Sequence, residues 1–112
     1  MARPPKPVVF RGTSLEDLRS FAAPVRRIAG FQLDRVQHGE DPDDWKPMRS
    51  IGAGVREIRI RGANGAFRVI YVANLGDAIY VLHCFQKKSQ RISKEDIVLA
   101  TQRYKQLIEE LK

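Results

Sequence analysis

One cysteine, one tryptophan and two histidines in 112 residues remove several explanations at once. Cys84 alone cannot close an intramolecular disulfide, so a reducing compartment is the natural expectation, with the thiol acting as a small hydrophobe inside an apolar strand. His38 and His83 stand far apart in sequence and no ligand spacing recurs, so no metal or other cofactor is expected. No apolar stretch is long enough to cross a bilayer, and the opening MARPPKPVVF lacks the apolar core of a signal peptide. A cytoplasmic protein without a membrane partner is the expectation. The glycines at 62 and 65 have no following helix and lysine, which excludes a phosphate loop and makes them turn residues.

Acid is the other shortage. The net charge is +7, and it is unevenly placed. Residues 1–45 hold seven basic and seven acidic side chains, whereas residues 46–112 hold thirteen basic against six acidic. Like charges concentrated in one half repel unless a partner neutralises them, which points to phosphate or an acidic protein; a solvated surface kept for solubility is the alternative.

At this length, with 43% hydrophobic residues, the chain is expected to be a single domain spanning 1–112, with residues 1–7 flexible. Val8, Val9 and Phe10 read as a short edge strand. Thr13 or Ser14 then offers a helix N-cap ahead of Glu16 and Asp17. Pro24 suits the first turn of a second helix, whose apolar stripe runs through Val25, Ile28, Ala29, Leu33 and Val36 to His38 and Gly39. Residues 40–54 read as an irregular connector. From Val55 the pattern alternates, with Ile58 and Ile60 on one face and Glu57, Arg59 and Arg61 on the other.

Gly62 to Gly65 make a turn, and Phe67–Val72 and Ile79–Phe85 make a hairpin about Asn74, Gly76 and Asp77. Ser93 caps a last helix with Ile97, Ala100, Tyr104, Leu107 and Leu111 along one side. The expected fold is α+β: a twisted antiparallel sheet, an N-terminal two-helix hairpin and a C-terminal helix, in the order β-α-α-β-β-β-α.

Three features carry chemistry: the strand Glu57-x-Arg59, the pair Phe67-Arg68, and the run Leu82-His83-x-Phe85-x-Lys87-Lys88. Their order and spacing, with SLEDLRSFAAPVRRIAGFQLDRVQHGE and WKPMRSIGAGVREIRI upstream, resemble the RelE/HigB-like toxins of type II toxin–antitoxin systems, in the phage-derived branch of that RelE/ParE superfamily. The resemblance implies a RelE-like fold whose basic sheet surface enters the ribosome and cuts messenger RNA without metal. The ribose 2′-OH attacks the adjacent phosphate, and cations stabilise the charge of the transition state.

Carried over by position, Arg59, Arg68, Lys87 and Lys88 are the catalytic candidates. Glu57 either orients the arginines or acts as base. His83 is a proton-shuttle candidate, though its apolar neighbours favour a structural role. Arg56, Arg61, Arg91 and Lys94 are the candidate RNA contacts. The tyrosine that the RelE prototype carries near the start of its last helix is absent, the region reading Ser93-Lys94-Glu95.

The implied partners are the ribosome with its message and a cognate helix-turn-helix antitoxin. A non-enzymatic ParE-like inhibitor of a protein such as DNA gyrase, and a catalytically inactive nucleic-acid- or protein-binding module, are the alternatives on the same fold.

Overall fold

Alternating apolar residues in three successive strands build the centre of the protein, whose computed structural model describes residues 4–112. β3 (Val55–Gly62), β4 (Gly65–Val72) and β5 (Ile79–Lys87) form an antiparallel meander. β1 (Val8–Phe10) and β2 (Trp45–Pro47) complete a five-stranded sheet in the order β1-β5-β4-β3-β2. α1 (Ser14–Arg19) and α2 (Ala23–Gln37) cover one face, and α3 (Lys94–Glu110) covers part of the other. The α+β architecture, the helical hairpin, the edge position of β1 and the C-terminal helix are as the sequence led us to expect.

The structure differs in three respects. The sheet is mixed, because β1 runs parallel to β5, with Val8 opposite Ile79 and Phe10 opposite Val81. A strand joined through two helices is free of the hairpin constraint that makes sequential neighbours antiparallel. Secondly, the connector contains β2, whose Trp45, Lys46 and Pro47 pair with Ile58, Glu57 and Arg56. Three residues including a proline give no period-2 signal, and Pro47 is tolerated because β2 lies at an edge. Thirdly, β4 and β5 are joined by the longer loop 73–78, whereas the tight turn is the one between β3 and β4, where Gly62 faces Gly65. Gly65 takes φ +132°, a conformation that side chains resist.

Of the lead expected to be flexible, residues 1–3 lie outside the described residues. Next to them, the Lys6 amide bonds to the Gln37 carbonyl and the Pro7 carbonyl accepts from the Ile79 amide.

The two faces bury separate cores. Leu18, Phe21, Val25 and Leu33 of the hairpin pack on Ile58, Phe67, Val69 and Val81. Cys84 is buried in this core, its thiol pushed up to about 12 by burial, so it remains an unreactive thiol. On the other side, Ala100 and Leu107 of α3 meet Ile70, Val72, Leu82 and Phe85. Ser93 caps α3, its hydroxyl accepting from the Asp96 amide. Gly52 lets the connector lie flat on α3: a Cβ there would sit 2.2 Å from the Tyr104 ring. An irregularity in the β4–β5 register at Ile70/Tyr71 places His83 opposite Ile70 and Val81 opposite Tyr71, leaving Leu82 as the extra residue. No helix among the described residues is long and apolar enough to cross a membrane.

A candidate cationic site at the open end of the sheet

Period-2 alternation and the strand register set out the site as rows on the face shared with α3. Across β3, β4 and β5 these rows read Glu57–Ile70–His83, Arg59–Arg68–Phe85 and Arg61–Ala66–Lys87. The first row is closed in the core. In the last, the small Ala66 leaves a gap between two cations. Arg59 and Arg61 are exposed and Lys87 is half-buried, while Arg68 is only 6% exposed and Glu57 only 1%.

Arg59 and Arg68 stand directly opposite each other, an arrangement that destabilises an antiparallel pair unless an anion intervenes. Glu57 is that anion. Its Oε1 lies 3.5 Å from Arg68 Nε and 4.0 Å from Lys46 Nζ. Neither Glu57 oxygen accepts a hydrogen bond from the described residues, so the carboxylate is held by ion pairing alone. Burial raises its pKa above the usual carboxylate range, although Arg68, Lys46, Arg59 and Lys87 all oppose the shift. Burial likewise lowers the Arg68 pKa, with Glu57 pulling the other way. Arg68 also donates from Nη1 to the Phe67 carbonyl at 3.0 Å, fixing the direction of its fork. A buried, oriented guanidinium thus underlies a rim of freer cations.

Among the sequence candidates, Glu57, Arg59, Arg61, Arg68 and Lys87 come together. Lys88 does not join them: it follows the end of β5, is exposed, and its ammonium donates to Gln86, whose own amide donates to the Asn64 carbonyl in the β3–β4 turn. Arg91 and Lys94 are exposed beside the start of α3, with no bond to the cluster.

Arg56 lies on the opposite face, opposite Tyr71 in the register, paired with Asp41 at 2.9 Å and stacked over Trp45 at 3.9 Å from the ring centroid. One step along a strand reverses the face, and this separates Arg56 from Glu57.

His83 is built into the scaffold. Its Nε2 lies 2.7 Å from Asp96 Oδ1, its ring stacks on Phe85 at 4.9 Å, and its Nδ1 is buried without a partner among the described residues. The Ser93 hydroxyl donates to the other Asp96 oxygen at 2.6 Å. The histidine therefore fastens β5 to the first turn of α3, immediately after the basic exit of the strand.

One contributor escaped the sequence reading. Lys46 reaches Glu57 because β2 pairs with β3, and β2 carried no strand signal. Phe85, named in the β5 run, stands opposite Arg68 in the register and gives the row an apolar end. Among the described residues no cluster of three or more His, Cys, Asp or Glu side chains could hold a metal ion.

Chemically, the surface suits an extended anion: exposed cations provide attraction, while buried Arg68 provides a fixed donor set that need not reorganise as charge develops.

No curated protein matches the chain at a significant level. Residues 16–105 match the family described as phage-derived protein Gp49-like, a span running from α1 into α3 and containing every row of the cationic face, and the chain belongs to that family.

Proposed function

We propose that the protein is the toxin of a type II toxin–antitoxin pair of the RelE/HigB kind, a metal-independent endoribonuclease that cuts messenger RNA on the ribosome. The observation that carries this reading is the cross-strand Arg59–Arg68 pair, maintained against its own repulsion by the buried Glu57. Membership of the Gp49-like family supports it.

In this mechanism the backbone runs over the open end of the sheet, with phosphates drawn to Arg59, Arg61 and Lys87. The ribose 2′-OH attacks the neighbouring phosphorus, the P–O5′ bond breaks, and a 2′,3′-cyclic phosphate and a 5′-hydroxyl result. Arg59 and Lys87 stabilise the additional negative charge of the pentacovalent transition state. Glu57, shielded from solvent, acts by fixing Arg68 rather than by taking the 2′ proton. That proton passes to a group supplied with the message or the ribosome, and the departing 5′ oxygen takes up a proton from the same source, since His83 is committed to Asp96. A helix-turn-helix antitoxin neutralises the activity by covering the cationic face; opposite charge makes that association fast and salt-sensitive.

The test is induced expression in a bacterial host with mapping of messenger-RNA 5′ ends, using Arg59→Ala and Lys87→Ala as paired controls because both side chains are accessible. Cuts at in-frame positions of translated messages, lost in both variants, are expected. Growth arrest with intact messages would replace this reading by inhibition of a protein such as gyrase. RNA retention without cleavage or arrest would leave a binding module.

A further inference from the structure

On the face opposite the cationic rows, a cleft of about 630 Å³ opens where the end of α2, the lead into β1, and the paired strands β3 and β4 meet. Val36, Ala73 and Ile79 give it apolar walls, and Lys6, Arg56 and Tyr71 are the polar groups on which the inference rests. Its size and mostly apolar lining, with a few convergent polar groups, are those of a small-molecule site.

Tyr71 supplies the independent sign of a ligand. The residue is fully buried and lines the cleft; the Arg56 guanidinium approaches its oxygen as a donor, and its O–H has no acceptor among the described residues. Leaving a buried O–H without an acceptor is costly, and its neighbour across β3 is the Arg56 guanidinium, itself a donor. Burial raises the phenol pKa, so the group presents an O–H at neutral pH.

The polar inventory is therefore weighted toward donors. Arg56 uses one nitrogen on Asp41, and Lys6 uses one ammonium hydrogen on the Ala73 carbonyl at 2.9 Å; both retain further N–H groups. The nearby carboxylates are already engaged at the exposed rim, Asp41 with Arg56 and Glu40 with Arg35. What is missing is an acceptor at the inner end, attached to an apolar body.

We infer that this cleft binds a carboxylate carried on an apolar chain, the carboxylate bridging the Tyr71 hydroxyl and the Arg56 guanidinium while the chain lies against Val36, Ala73 and Ile79. Two sources share that chemistry: a free aliphatic acid, and the C-terminal carboxylate of a peptide ending in an apolar residue.

The test is titration of the isotopically labelled full chain, followed by amide resonances, with octanoate, octanol, and an acetylated leucine-terminated peptide in free-acid and amidated forms. Saturable shifts around residues 36–41, 54–56 and 71–74 are expected with octanoate or with the free-acid peptide, whichever is the better fit naming the source. Octanol and the amidated peptide should bind at least roughly tenfold more weakly, the discrimination expected for a charge-assisted hydrogen bond. Tyr71→Phe and Arg56→Gln should each weaken binding by a similar factor.

Tyr71→Phe should fold normally, because it removes a hydroxyl whose hydrogen has no acceptor and leaves Arg56 its pairing with Asp41; its unchanged spectrum guards against loss of binding through misfolding. Failure of both carboxylates to saturate below about 10 mM would overturn the inference. So would equal binding of octanol, or unchanged affinity in both variants.

Discussion

Arg56 and Glu57 are neighbours in sequence and belong to different parts of the protein. Arg56 lies on the helical-hairpin face, half-exposed, with its charge met by the exposed Asp41 and its guanidinium resting on Trp45. Glu57 lies on the α3 face, buried among cations and without a hydrogen bond. The first arrangement is an ordinary surface pair, worth little by itself and easily exchanged for another anion. The second is a buried charge held in position by other charges, where removal of one partner exposes the full cost of burying the next. The contrast shows where this domain tolerates change and where its chemistry is fixed.

Breaking the buried side of the comparison should have the largest effect. Arg68→Ala strands Glu57 in a site that water does not reach, and denaturant unfolding should show a loss of about 3–5 kcal/mol. Replacing both partners by apolar residues of similar volume should recover most of that stability while leaving the protein inactive, which separates the structural and chemical roles of the pair.

Next come the accessible cations of the same face. Arg59→Ala should change stability by no more than about 0.5 kcal/mol, yet reduce message cleavage by roughly a hundredfold to a thousandfold, as when one charge-stabilising donor is lost. A stability loss as large as that of Arg68→Ala would mean that exposure does not distinguish the two arginines.

His83→Ala removes a hydrogen bond to a carboxylate and the Phe85 stack, so a loss of about 1.5–3 kcal/mol is expected in thermal or chemical unfolding. His83→Asn should recover part of it, and residual cleavage should follow the folded fraction if the histidine is only a fastener.

Glu57 also gives a signature in pH. Its carboxyl titrates above the ordinary range in the folded state, so protonated Glu57 favours the fold. That contribution is fully present below the pKa of the unfolded chain and is lost as pH rises through the folded value. Relative to Glu57→Gln, the wild type should therefore lose stability across that interval; a gap that widened in its favour with rising pH would show that ion pairing outweighs burial. Arg56→Ala, on the other face, should have the smallest effect on message cleavage, leaving it unchanged, at a cost in stability of about 0.5–1 kcal/mol for an exposed ion pair and ring contact.

The sequence carried the fold well where its signals were periodic or chemical. Alternation in Val55–Gly62 placed Ile58 opposite in face to Glu57 and Arg59, and Pro24 and Ser93 marked helix starts that the structure retains. It did less well where tertiary pairing decides. Trp45–Pro47 has no strand pattern of its own and becomes a strand only by docking on β3, and Lys46 enters the site for the same reason. The site was legible as charge, but not as burial: nothing local says that Arg68 is covered while Arg59 is exposed. His83 sat in an apolar run, and only the displaced register of β5 shows how it turns to meet Asp96.

The parallel pairing of β1 with β5 constrains the order in which the chain can assemble. Ile79–Val81 is the docking edge for β1, and Arg11 later meets Glu110 near the end of α3, so both ends of the described chain depend on segments far away in sequence. Local structure such as α2 and the β3–β4 turn can form early, but closing such distant contacts costs loop entropy and slows folding. During synthesis, β3 and β4 emerge before β5, and the last cationic row stays incomplete until Lys87 has been added. The cationic face is therefore complete only once β5 has been synthesised and has paired with β4, so its charge is gathered by the fold and not by any one segment.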